Sequence, residues 1–441
     1  MYVSFENFGS ACTFAFADFA FALSFVAAMV KIYSGFYPLH VLAEKHLKHR
    51  AIKPITVLAC EIKEKEFKVE KMLLENLSLL YFKNYEEASL AFSEHINCFI
   101  GDNGSGKTNL LDAIHYLSMT KSAFPGTEAQ SIKQGEDFFM VKGRFEIEGA
   151  KHTVQVSMKQ GQKKTVTHNK VVYEKISDHI GQFPVVLISP YDTDLIREGS
   201  EERRKYFDSL ISQLNHTYLE QLIQYNYILK QRNSLLKQFA ERHYYDRDYL
   251  HILNEQLIPF AEQLTQEREK FLEEFVPVFQ KHYRHISDSS ETVTLTYKSQ
   301  LLGSDFAHLL HQAERKDLAL QRTTVGPHKD DFVFLMDGNP VKSFGSQGQQ
   351  KSYVIALKLA HFEVMDQRQH HKPLLLLDDI FDRLDEKRIT KLMQMVAAHT
   401  FGQIFLTDTH LERTDQILEG LSESIRRFEV KDGVVKLIAD C

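Results

Sequence analysis

Cysteine is scarce in this chain of 441 residues: Cys12, Cys60, Cys98 and Cys441 are scattered, with no C-x-x-C spacing. That excludes a disulfide framework and a zinc–thiolate site as organising features, and it fits a reducing cytosol. An excess of positive charge is also missing, the formal net charge being -6. The protein is therefore not coated in cations, although net charge alone leaves a basic patch on one face open. What remains is ordinary for a folded chain: 43% hydrophobic and 25% charged residues, enough for two or three domains with real cores.

One long apolar run exists, "ACTFAFADFAFALSFVAAMV" at residues 11–30. Its length suits a membrane span or a signal sequence. Against both, Asp18 sits in its middle, where a carboxylate is costly in hydrocarbon. The preceding "MYVSFENFGS" also carries no Lys or Arg to form a signal n-region. Met72 then opens "MLLENLSLLYFKNYEEASLAF", which reads as a clean start to a β-rich domain. The expectation is that residues 1–71 are an extension or a misassigned start, outside the folded core. A membrane anchor is the alternative.

Residues 95–118, "HINCFIGDNGSGKTNLLDAIHYLS", carry the strongest motif. A short apolar strand, Ile96 to Ile100, leads into "GDNGSGKT", residues 101–108, which fits G-x-x-x-x-G-K-[ST]. Leu110, Leu111, Ile114 and Leu117 then recur at helical spacing. Gly101, Gly104 and Gly106 let the backbone curl so that successive N–H groups face one anion at the positive end of a helix. Lys107 adds a mobile charge for the β- and γ-phosphates, and the Thr108 hydroxyl is a hard oxygen ligand suited to Mg²⁺. The bland reading, a chance glycine turn before a helix, does not account for all three parts in order.

Two further stretches belong with this loop. In "KPLLLLDDIFDRLDEKR", Leu374 to Leu377 read as a strand buried on both faces of a parallel sheet, ending in Asp378 and Asp379. Adjacent acids there are costly unless something cationic or catalytic uses them. The reading is that Asp378 holds the Mg²⁺ shell and Asp379 positions or deprotonates the attacking water. A solvated acidic turn is the simpler reading of either acid alone. The second stretch, "SQGQQKS", opens a helix at Ser346. Its Ser346 hydroxyl and Gly348 backbone make a second anion site, serving either the chain's own nucleotide or that of a two-fold-related copy. A later strand, "GQIFLTDTHLER", places Thr407, Asp408 and His410 at its ligand-facing end. His410 either senses the γ-phosphate or is an exposed loop histidine.

Together, "GDNGSGKTNLLDAIHYLS", "SQGQQKS" and "LLLLDDIFDRLD" resemble the phosphate loop, signature motif and magnesium-binding strand of ABC-type ATPases, in the SMC-like branch that works on DNA. More narrowly, the chain resembles the RecF family. That narrowing rests on "LSLLYFKNYEEASLAF", "PVVLISPYDTDLIREGSEERRKYFDSLISQL", "TTVGPHKDDFVFLMDG" and the glutamine-rich signature, and it runs from Met72 to about Val435. The resemblance implies an α/β fold: an SMC-type phosphate-loop head with a mixed sheet, plus a smaller helical lobe. Gly101, Asp102, Asn103, Gly104, Ser105, Gly106, Lys107 and Thr108 would bind ATP, with Ser346, Gly348 and Gln349 reaching the γ-phosphate held by a second copy. Thr108 and Asp378 would hold Mg²⁺, Lys107 and Asp379 would be catalytic, and Asp385 would lie in the segment crossing the dimer interface. Lys83 stands where the family usually shows arginine, and Asp408 takes the place of the usual switch histidine.

The family further implies a cytoplasmic, weak DNA-dependent ATPase that forms a homodimer on ATP. It would bind duplex DNA at gaps and single-strand/double-strand junctions and promote recombinase loading with RecO and RecR. That serves recombinational repair, replication and the SOS response. Residues 72–200 and 316–441 would build the head and 201–315 the helical lobe, whose apolar residues fall at i, i+3, i+4 and i+7. The lobe offers Arg203, Arg204, Lys205, Lys230, Arg232 and Lys237 as phosphate contacts, or as a solvated face. Two rival functions are a subunit of a transporter ATPase, prompted by the apolar run, and an ATP-dependent nuclease, for which no separate carboxylate cluster is visible.

Overall fold

The structure, a computed structural model, describes residues 71–441 except 288–289, 370, 382–384, 399, 420–423 and 441. The apolar run, nearly all of the expected extension and three of the cysteines lie outside the described residues. Among those described, no helix is long and apolar enough to cross a membrane.

Strands β1 (Met72–Leu80), β2 (Glu87–Ala91) and β3 (Ile96–Ile100) precede helix α1 (Lys107–Met119). Strands β4 (Phe138–Ile147), β5 (Ala150–Lys159), β6 (Thr165–His168), β7 (Val171–Val172) and β8 (Val185–Ile188) follow. Helices then dominate: α2 (Ser200–Leu214), α3 (His216–Arg242), α4 (Arg247–Ser287) and, beyond strand β9 (Val293–Lys298), α5 (Phe306–Leu320). Next come β10 (Asp331–Met336), β11 (Asn339–Pro340), α6 (Gln347–Arg368), β12 (Leu374–Leu377) and α7 (Glu386–Ala397). The chain closes with β13 (Ile404–Asp408), α8 (Leu411–Leu418), β14 (Ile425–Lys431) and β15 (Val434–Asp440).

The central sheet is mixed, in the order β15-β14-β3-β13-β12-β8. Its strands from β14 to β8 are parallel, and β15 turns back antiparallel at the edge. An antiparallel sheet, β2-β1-β4-β5-β6-β7, forms a second layer, and β11-β10-β9 forms a small third one. The run "LLLL" of β12 is buried along its whole length because both of its faces are covered. Alternation along the central strands divides two cores. Ile96, Cys98, Ile100, Leu375, Leu377, Ile404 and Leu406 pack toward α6 and the helical lobe. Phe99, Leu374, Leu376 and Phe405 pack instead with Leu110, Leu111, Ile114 and Leu117 of α1 and with the antiparallel sheet. Helix α1 thus lies between the two sheets, its N-terminus at the C-terminal end of β3, where parallel sheets gather ligands.

Helix α4 has 41 residues and at about 1.5 Å per residue runs about 60 Å. It packs on α3 through a side-chain network of unusual charge for an interior. Arg232, fully buried, donates to Asp317 Oδ2 and Thr323 Oγ1 at 2.8 Å and to Asn254 Oδ1 at 2.7 Å. Arg268 reaches Asp208 at 2.9 Å, the carbonyl of Pro327 at 2.9 Å and Asp330 at 3.3 Å. Buried cations demand such partners, and here they weld the helices to the "TTVGPHKDD" loop.

These contacts overturn part of one expectation. Arg232 is sealed in the interior, while Arg203 forks onto Asp331 at 2.8 and 3.0 Å, and Arg204 donates to the carbonyl of Asp330 at 2.6 Å. Lys205 pairs with Glu201 and Glu202. Of the bases expected to reach phosphates from this lobe, only Lys230 and Lys237 stand exposed without such ties among the described residues. Helical periodicity located these bases on helices, but the acidic partners of Arg203 and Arg232 come from distant parts of the chain.

Candidate nucleotide site

The loop Gly101 to Thr108 joins β3 to α1 as the motif requires. Gly104 and Gly106 adopt left-handed backbone, φ +82° and +115°, which L side chains rarely take. Space excludes a side chain at Gly101 as well: a Cβ there would lie 2.1 Å from the carbonyl oxygen of Val430. The loop is held in this curl from outside. Asn84 Nδ2 donates to the carbonyl of Ser105 at 3.1 Å, Tyr85 Oη donates to that of Gly106 at 2.9 Å, and Gly433 N donates to Ser105 O at 3.2 Å. Asp102, Asn103 and Gly104 form the exposed rim, while Ser105, Gly106 and Lys107 are buried. Lys107 Nζ donates to the carbonyls of Gly101 at 2.7 Å and Asp102 at 2.9 Å, closing the loop on itself. Burial holds its ammonium below the usual lysine range, against the opposing charges of Asp379, Asp378, Asp408 and Asp102.

The strand-end acids meet this loop directly. Thr108 Oγ1 donates to Asp378 at 2.9 Å, and Thr407 Oγ1, at the end of β13, donates to the same carboxylate at 2.9 Å. Thr407 Oγ1 in turn accepts the backbone N–H of Asp379 at 2.9 Å. Asp379 sits at φ +47°, a strained conformation for a non-glycine residue. Lys107, Thr108, Asp378, Asp379 and Thr407 share a cavity of about 190 Å³ with the loop. Burial pushes the Asp378 carboxyl up; the Thr407 and Thr108 hydroxyls and the Lys107 charge pull the other way without cancelling that rise. A nearly buried carboxylate held only by hydroxyls and a neighbouring charge is the donor set a hard divalent cation stabilises. The residues therefore fit Mg²⁺ on Thr108 and Asp378.

The signature stretch is placed differently. Ser346 caps α6: its hydroxyl accepts from Gln349 N at 3.3 Å, and the Gln349 side-chain oxygen accepts from Ser346 N at 2.7 Å. This reciprocal cap leaves the helix N-terminus formed and outward-facing, with Ser346 exposed and nothing within 3.7 Å of a Cβ at Gly348. The Gln349 amide also donates to Glu291. Neither cavity beside the phosphate loop is lined by Ser346, Gly348 or Gln349. Lys351, one turn on, lines a cavity of about 440 Å³ together with Thr108, Asp378 and Asp379. Asp385 caps α7 and pairs with Arg388, whose Nε donates to Ser352 Oγ at 2.7 Å, joining that segment to the signature helix.

Two positions whose roles the sequence left open have structural partners. Asp408 is fully buried; burial alone would raise its carboxyl, but hydrogen bonds from Arg413, Thr414 and the Thr409 N–H outweigh this and hold it below the usual range. It braces the turn after β13, and His410 is exposed as the cap residue of α8. Lys83 pairs at 2.6 Å with the buried Asp112 on α1. The braces Asn84 and Tyr85 were invisible as site residues, because only their position in the "FKNY" stretch marked them.

The chain matches the family model for the RecF/RecN/SMC N terminal domain over residues 73–435. A DNA replication and repair protein RecF from Flavobacterium johnsoniae is 50% identical over 359 residues, covering 81% of this chain and 100% of that protein. The RecF of Cytophaga hutchinsonii is 44% identical, covering 83% and 97%. Among solved structures, the recombination mediator protein RecF-ATPrS of the RecFOR pathway superposes with a TM-score of 0.75 at 30% identity, covering 84% of this chain and 99% of that one. The Smc head domain of Pyrococcus furiosus, at TM-score 0.50 and 16% identity, shares the fold alone. With the phosphate loop, the paired strand-end acids and the glutamine-rich helix cap in the places described, the chain belongs to the RecF family.

Proposed function

We propose that this protein is a cytoplasmic ATP-dependent DNA-binding protein of recombinational repair and replication. It dimerises on ATP at DNA gaps and single-strand/double-strand junctions, promotes recombinase loading with RecO and RecR, and hydrolyses ATP slowly, in a DNA-dependent manner, as a release switch. The observation that carries this reading is the chain Thr108–Asp378–Thr407–Asp379, which ties the phosphate loop to both acids in one small cavity. The RecF-ATP structure of the RecFOR pathway, at TM-score 0.74 and 29% identity, supports the same ligand.

The loop N–H groups and Lys107 bind and orient the triphosphate. Thr108 and Asp378 would hold Mg²⁺, which would supply neutralisation of the charge that develops on the triphosphate. Asp379 orients the attacking water and accepts its proton. Because the Ser346 cap faces outward rather than into its own loop's cavity, it serves a second copy. Phe344, 70% exposed two residues earlier, supplies the aromatic surface that interfaces favour. Each copy's signature then completes the pocket begun by the other's loop, an isologous arrangement.

Two variants test separate parts of this scheme. Ser346→Arg should leave ATP binding by the monomer within about twofold but abolish the ATP-dependent rise in mass by light scattering. A normal dimer in that variant would remove the signature from the interface. Thr407→Val frees Asp378 from one hydroxyl and unpins the Asp379 N–H. It should lower turnover about tenfold, the scale of one lost hydrogen bond between charged and neutral groups, and raise the Mg²⁺ concentration needed. Thr407→Ser should restore both.

A further inference from the structure

From Ala150 to Tyr173 the chain has no Asp or Glu, yet it carries Lys151, Lys159, Lys163, Lys164 and Lys170. In a protein of net charge -6 this is a concentrated exception. The structure makes it one object: the segment folds into β5, β6 and β7, the outer side of the antiparallel sheet.

Not all of these lysines are available. Lys151 pairs with Glu75 and Glu146, Lys159 with Asp137, and Lys164, nearly buried over the ring of Tyr116, with Glu128. Lys163 and Lys170 are exposed, as is Lys142 on neighbouring β4, and none of the three forms an ion pair among the described residues. Strand register aligns Ser78, Lys142, Gln155 and Thr167 in a row across β1, β4, β5 and β6, at about 4.8 Å per strand. The next row holds Thr153, whose N–H and carbonyl are both engaged by Asn169 at 2.8 Å. Lys142, Thr153, Gln155, Thr167, Asn169 and Lys170 line a concavity of about 580 Å³ with no carboxylate in its wall. Glu75 and Glu146, on β1 and β4 of the same sheet, are already engaged by Arg144 and Lys151.

We infer that this shelf is a binding surface for the sugar–phosphate backbone of duplex DNA. Free cations spread along an edge, rather than converging on a point, suit a polyanion better than a single phosphate. Hydroxyls and amides interleaved with lysines, with no apolar centre, match the wet, polar character of a backbone contact rather than a protein hot spot. The site also answers a structural need, since Arg203, Arg204 and Arg232 of the helical lobe are engaged internally. The inference rests on the reading of the chain as a DNA-binding ATPase, and its test separates the two.

Full-length protein with ATP is titrated onto a short labelled duplex over a range of salt, as wild type, as the K142Q/K163Q/K170Q triple variant, and as K230Q/K237Q from the helical lobe. The triple variant should bind at least about tenfold more weakly. Its log K against log salt slope should be shallower by about 2 to 3, at roughly 0.9 for each phosphate no longer neutralised. ATP affinity should be unchanged, which certifies the fold, and K230Q/K237Q should shift the slope by less than the triple. A triple variant with wild-type affinity and slope overturns the shelf assignment while leaving the DNA-binding reading intact. Wild type that binds no duplex at any salt overturns the reading itself. Poly-glutamate held by the shelf more tightly than duplex would assign it to an acidic protein and overturn the DNA inference.

Discussion

Asp379→Asn should bind ATP with near wild-type affinity, lose roughly a hundred- to ten-thousand-fold in turnover, the range ascribed to a positioned general base, and accumulate as an ATP-bound dimer on DNA. Asparagine keeps the shape of the side chain and tolerates the left-handed backbone that Asp379 adopts at φ +47°. The Asp379 backbone N–H that Thr407 fixes at 2.9 Å is also retained. What disappears is the ability to accept a proton from water. Asp378, with its two hydroxyl partners, is untouched, so the metal position survives. The measurement is steady-state phosphate release beside light scattering in excess ATP. A variant that remains monomeric with saturating ATP would falsify the scheme in which bound, unhydrolysed nucleotide closes the dimer.

The second large effect belongs to Lys107. In Lys107→Ala the loop loses its buried cation together with the hydrogen bonds to Gly101 O and Asp102 O. Contacts from an ammonium to phosphate oxygens contribute on the order of 3 kcal/mol, which is more than a hundredfold in Kd. No ATP binding should be detectable calorimetrically at concentrations that saturate the wild type, and no dimer should form at any ATP concentration. The fold should survive, because the glycine curl is braced by Asn84, Tyr85 and Gly433 rather than by Lys107 alone. The double variant with Asp379→Asn should behave as Lys107→Ala, since hydrolysis cannot be blocked where nothing binds. Wild-type affinity in Lys107→Ala would place the triphosphate elsewhere.

The two variants divide the site as the geometry does. Lys107 belongs to a loop of eight consecutive residues and the helix they open, held in its curl by Asn84, Tyr85 and Gly433. Asp379 belongs to an arrangement assembled from three strands, β3, β12 and β13, that are adjacent in the sheet but far apart in the chain. Under the proposed scheme, loss of the first should remove binding, and loss of the second should remove only the step that ends it.

Local chemistry was legible in the residues themselves. The apolar runs "INCFI" and "LLLL" announced buried strands, glycine spacing announced the phosphate curl, and "SQGQQKS" announced a helix start at Ser346, because each depends on neighbours within a turn or a pleat. Tertiary structure alone decided the rest. It turned Arg203 and Arg232 inward to acids more than eighty positions away, and Arg204 to the main-chain carbonyl of Asp330. It also brought Asn84 and Tyr85 against the loop and gathered the acid-free lysines of β5 to β7 onto one edge. The physical reason is range: backbone conformation is governed by adjacent residues, whereas a charged side chain takes whichever partner the packed fold brings within about 3 Å.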